Sequence, residues 1–165
     1  MNCRSHVLCH LSVAALVAFT ASAFAQSGSS ARLHCQTVGS NYPEPLGDRE
    51  GHSVAVSQFT CRTEGGLLDG GVLTGLTIWE YDKTNAVALS GNGITRKPGA
   101  VAAYEQTEGK VALTLVDGKA TGFTGSGRGR YTMATGAASG LSGKTYTFTF
   151  KTTGPFQFVV DYKID

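Results

Sequence analysis

Between Thr145 and Ile164, large apolar side chains stand at alternate positions. Tyr146, Phe148 and Phe150 alternate with Thr145, Thr147 and Thr149, and then Phe156, Phe158, Val160, Tyr162 and Ile164 alternate with mostly polar neighbours. A period of two lays each series along one face of an extended strand, whereas a helical period of 3.6 would scatter it around the axis. Thr152-Thr153-Gly154-Pro155 supplies turn chemistry between the two series. The sequence therefore predicts a hairpin whose aromatic rows stack on the same side.

The same reading extends upstream. Val72 to Tyr81 and Ala86 to Ser90 flank Asp82-Lys83-Thr84-Asn85, a hairpin connection, and Val111, Leu113 and Leu115 alternate with smaller residues before the hairpin dipeptide Asp117-Gly118. His52 to Cys61 and Ala100 to Thr107 are further strand candidates, and beyond the first 25 residues no helical stripe of ten or more residues is found. Seven or eight short strands imply an all-β fold: an antiparallel closed β-barrel of about eight strands, with a β-sandwich as the alternative. Closure has a physical advantage here, because it removes the exposed edges that would make the Tyr146 to Phe150 pattern prone to aggregation. The chain's 22 glycines suit tight turns and strongly curved strands.

The beginning of the chain reads as a cleaved signal peptide, residues 1–25. Arg4, His6 and His10 precede an apolar stretch from Leu11 to Phe19, and Ala23-Phe24-Ala25 offers small side chains at the two positions a signal peptidase tests. The apolar run is shorter than the roughly 20 residues that span a bilayer, and no cysteine follows it at a lipidation position, so no stable membrane anchor is expected. Residues 26–50 read as an N-terminal extended segment, broken by Pro43 and Pro45, and residues 51–165 as the barrel domain. Cleavage removes Cys3 and Cys9 and leaves Cys35 and Cys61, which predicts one disulfide in a secreted or periplasmic protein. It also leaves 13 basic against 12 acidic side chains, without a charged block apart from Arg128-Gly129-Arg130. Nothing there resembles the basic face of a nucleic-acid binder, and no nucleic-acid partner is expected.

The glycine run Gly125 to Gly129 lacks the Gly-Lys-Ser/Thr ending of a phosphate loop and a following helix, and reads as a turn that lets a barrel bend. His34 and His52, with Cys35, Cys61, Asp48 and Glu50, match no compact ligand spacing, so neither metal nor other cofactor is assigned. Ser126 and Ser142 sit among glycines but outside the Gly-x-Ser-x-Gly pattern of a nucleophile elbow. Two strand pairs remain, Trp79-Glu80 and Tyr104-Glu105, each placing an aromatic ring and a carboxylate on opposite faces. An inward Glu80 or Glu105 would have its pKa raised by burial and become a candidate acid or base; an outward one is a solvated charge. Trp79, Tyr104 and Tyr131 could line a site for a small apolar ligand, or simply pack the core.

The stretch Gly125-Ser126-Gly127-Arg128-Gly129-Arg130-Tyr131, followed by Ala134-Thr135-Gly136 and the aromatic strand Tyr146 to Phe150, resembles the C-terminal half of the allene oxide cyclase and dirigent barrel superfamily. The resemblance implies an eight-stranded, calycin-like barrel with an apolar cavity, often assembled as a dimer or trimer. It carries over no catalytic residue by position. Three functional readings stay open: an exported barrel that binds a small hydrophobic molecule without catalysis, a cyclase or isomerase, and a structural or protein-interaction domain, with a homo-oligomer compatible with each.

Overall fold

The computed structural model describes residues 30–39 and 42–165; the expected signal peptide, residues 1–25, lies outside the described residues. The described residues form nine strands: β1 (Ser30–Val38), β2 (Glu44–Pro45), β3 (His52–Glu64), β4 (Val72–Asp82), β5 (Asn85–Lys97), β6 (Ala100–Val116), β7 (Lys119–Gly136), β8 (Thr145–Gly154) and β9 (Gln157–Ile164). From β3 to β9 each strand pairs antiparallel with the next, β9 pairs with β1, and β1 pairs back onto β3. The result is a closed eight-stranded antiparallel barrel, and β2 adds a two-residue ladder to the start of β3. The barrel thus begins at Ser30, so the segment expected to be merely extended supplies the strand that completes the ring.

Closure is fastened covalently. Cys35 and Cys61 are directly opposed in the β1–β3 register and form a disulfide, with both residues buried inside the barrel beside Leu33 and Phe158. Their neighbours alternate as a pleated wall requires: Leu33 and Cys35 face inward, while His34 and Arg32 face outward and pair with Glu64 and Asp161.

The predicted C-terminal hairpin is present, with Tyr146, Phe148 and Phe150 opposite Ile164, Tyr162 and Val160. Its turn differs by one position from the alternation. Phe156 lies outside β9, in the two-residue connection after Gly154, with positive φ (58°) and 71% exposed. Pro155 ahead of it suits the first central position of a tight turn, and the positive φ of Phe156 at the second is the sign a type II turn has there. Asp117-Gly118 forms the hairpin turn the dipeptide predicts, with positive φ at both residues (50° and 74°).

Gly125, Gly127 and Gly129 lie in the middle of β7 and not in a turn. In the β7–β8 register they stand opposite Phe150, Phe148 and Tyr146 respectively. A methyl group at Gly127 would collide with the Glu108 carbonyl on β6 and come 2.5 Å from the Phe148 ring. The other two are hemmed in likewise, by the Lys110 and Glu105 carbonyls and by their own facing rings. Missing side chains on β7 are therefore filled by aromatic ones from β8, and the wall bends where they meet. Gly93 faces Tyr104 across β5–β6 in the same relationship.

An up-and-down meander brings the β3–β4, β5–β6 and β7–β8 connections to one end. There Leu68 (1% exposed), Ala138 (0%) and Leu141, the last in a short 3-10 turn (Ser139–Leu141), join the main core and plug the barrel. The turns at the opposite end, around Lys83, Asp117 and Phe156, are tight two-residue connections, and a second cluster with Trp79, Tyr81 and Val111 lies toward them.

Two stability measurements follow from this architecture. Replacing both Cys35 and Cys61 by serine should lower the unfolding free energy by up to about 3.5 kcal/mol, the loop-entropy value for a bridge of this span; denaturant unfolding with and without reductant reads it. Gly127→Ala should cost about 1–3 kcal/mol, because a backbone carbonyl on one side has nowhere to go, while Gly140→Ala, with open space around it, should be close to neutral. Equal midpoints for the two alanine variants would show that the glycine row is not under steric constraint.

Candidate functional site

The barrel encloses a cavity of about 130 Å³. Its walls follow from strand parity. On β8 and β9 the inward positions are aromatic or aliphatic, and Phe148, Phe150, Phe158 and Val160 line one side together with Phe123 of β7. Their rings pack obliquely or edge to face, with centroids 5.7 Å apart for Phe123–Phe158 and 6.1 Å for Trp79–Phe150, the spacing aromatic quadrupoles favour.

Nearer the plugged end four tyrosines converge. Tyr146 packs against Tyr131 at 5.3 Å, Tyr162 at 6.2 Å and Tyr104 at 6.3 Å between centroids, and the Tyr131 and Tyr162 hydroxyls share a hydrogen bond. Burial pushes the pKa of Tyr131, Tyr146 and Tyr104 far above the usual phenol value. Each therefore remains a neutral O–H at physiological pH.

Trp79, Tyr104 and Tyr131, singled out from the sequence as possible ring linings, all border this cavity. Glu80 and Glu105 do not. Strand alternation turns both to the outer face, where Glu105 accepts from Arg130 Nε at 2.5 Å and Glu80 meets His52 Nε2 at 2.8 Å. Among the described residues no carboxylate borders the cavity, and the two inward cysteines are spent on the disulfide. The polar groups that do line it, including Ser57, Thr95 and Gln106, were not legible as such in the sequence. Gln106 follows Tyr104 by two residues on the same strand, so its parity was available as a signal.

Outside the barrel, His52 (8% exposed) sits between two acids. Nδ1 is 2.5 Å from Asp48 and Nε2 2.8 Å from Glu80, with Arg49 beside both carboxylates. Only an imidazolium can donate from both nitrogens at once, which is what two carboxylate partners require. The Asp48 and Glu80 hydrogen bonds accordingly raise the His52 pKa above its ordinary value, and the same bond to His52 holds Asp48 below the usual carboxylate range. With both nitrogens occupied, the ring ties the 44–51 segment to β4 and has no lone pair to offer as a base. No group of three or more His, Cys, Asp or Glu residues suited to a metal occurs among the described residues.

Neither the protein-family models nor the curated proteins compared with this sequence give a match.

The His52 cluster has a definite pH signature. A raised folded-state pKa contributes stability that is fully present below the unfolded imidazole value, about 6.5, and is lost as pH rises through the folded one. The lowered Asp48 pKa contributes above the unfolded carboxylate value and is lost in acid. Urea unfolding across this range should show wild-type stability declining on the alkaline side more steeply than in His52→Gln. Parallel profiles would remove the imidazolium from the account.

Proposed function

We propose that the protein is exported and that its barrel binds a small apolar ligand of about single-ring size. The observation that carries this reading is the aromatic cavity of about 130 Å³. An apolar protein cavity of about 150 Å³ is known to admit benzene or xenon, whereas drug-sized ligands occupy roughly 300–1,000 Å³. A void walled by Trp79, Phe123, Phe148, Phe150 and Phe158 thus suits one ring or a short hydrocarbon. Export is supported by the leader-like start of the sequence, Arg4 through Ala25, and by a structural disulfide, which persists in oxidising compartments.

A cyclase or isomerase is the second reading, favoured by the inward tyrosines. Neutral phenols can donate to an oxygen that gains charge in a transition state. Binding alone is the better supported of the two, since no carboxylate among the described residues reaches the interior to move a proton.

Trp79 is the chain's single tryptophan and borders the cavity, so its fluorescence reports occupancy directly. Benzene should give a saturable change in Trp79 emission and raise the thermal midpoint, as any ligand specific to the native state must. If benzene produces neither effect, and xenon under pressure causes no localised NMR shifts at the cavity residues, the interior is closed to ligands and the proposal fails.

A further inference from the structure

The outer wall of the barrel is not uniform. On β8 and β9 its positions are mostly polar, among them Thr147, Thr149, Lys151, Asp161 and Lys163. Across β3, β4 and β5 they are not. Val56 stands opposite Ile78, and Leu76 is the next outward position along β4. A bulge in β5, where Ile78 faces Ser90 but Trp79 faces Ala88, inserts Leu89 as an extra residue beside them, with Val87 two positions away. Val56, Leu76, Val87 and Leu89 are exposed and Ile78 between them is half-buried. Scattered exposed apolar side chains are ordinary, but a contiguous group with a polar rim marks an interaction surface.

The charges at the two ends of this wall indicate what covers it. At the plugged end Arg62 and Arg96 flank Val72 from β3 and β5, and at the other end β4 finishes on Asp82. None of the three forms an ion pair among the described residues, and the Arg96 guanidinium reaches only the Thr74 hydroxyl, at 3.4 Å. Glu80 is already held by His52 and Arg49, and Lys83 belongs to the turn beyond β4. The wall is therefore basic at one end, apolar in the middle and acidic at the other. Turned end for end it complements itself, which is what an isologous interface requires.

From this pattern we infer that the β3–β5 wall is the contact between two copies of the chain in a reversible two-fold dimer. The axis lies in the contact plane and crosses β4 at right angles near Thr77, midway between Val72 and Asp82. Leu76 of one copy then meets Ile78 of the other, and each Asp82 faces the Arg62 and Arg96 of the opposite copy. Three strands over the length of β4 offer roughly 500 Å² per copy, or about 1,000 Å² in all, the lower limit for a specific interface. The contact is on the outside of the barrel and is independent of what the cavity holds.

Sedimentation equilibrium of the exported protein, carried to millimolar concentration, should show a monomer–dimer equilibrium. Leu76→Glu combined with Leu89→Glu should raise the dissociation constant at least about tenfold, since apolar contact is replaced by buried like charge, with circular dichroism confirming that the barrel is intact. A wild type that stays monomeric throughout overturns the inference, as does a trimer or a dimer that the two glutamates leave unchanged. Should that variant not fold, substitutions at the exposed wall ends decide the matter. Asp82→Arg should weaken the dimer, and adding Arg62→Glu and Arg96→Glu should restore it; absence of rescue refutes the antiparallel arrangement.

Discussion

Pairing of β1 with β3 is the constraint on which the rest of the structure depends. Without it the meander from β3 to β9 would be an open, curled sheet with two edges and an aromatic face exposed to water, the arrangement most prone to edge-to-edge association. With it every strand of the ring has two neighbours, the inner face becomes an interior, and the outer face becomes the surface of the barrel. The Cys35–Cys61 bridge lies across this seam, where it limits the unfolded chain and holds the closing pair of strands in register.

Closure alone would not leave a cavity of this shape. Eight strands give a bore that side chains nearly fill, and here the filling is uneven: β8 and β6 contribute rings, whereas β7 and β5 contribute the glycines opposite them. Each ring lies across the backbone it faces. The interior is therefore crowded where these rings lie, and a space of about 130 Å³ remains.

Charge is sorted by the same wall. Alternation along β4 and β6 turns Trp79 and Tyr104 inward and their neighbours Glu80 and Glu105 outward, where His52 and Arg130 meet them. The inside retains polar groups that stay neutral, tyrosine hydroxyls and a carboxamide, whose cost of burial is far below that of an ion.

Much of this was legible in the residues. Period-two alternation from Tyr146 to Ile164, the Asp117-Gly118 turn and the pair of late cysteines determined an all-β chain, its hairpins and its disulfide, because each is a simple rule about strand faces, turn dihedrals or thiol pairing. Local rules failed where distance in sequence mattered. Alternation placed Phe156 in a strand, but the turn after Pro155 claimed it; Gly125 to Gly129 had the composition of a turn, but rings on β8 made it mid-strand. Whether Glu80 pointed in or out, which residues bordered a void, and that Val56, Ile78 and Leu89 shared one outer patch were decided only by the tertiary structure. Strand parity says that neighbours face opposite ways, but the register of all eight strands and the closing pair β1–β3 are needed to say which way is inside.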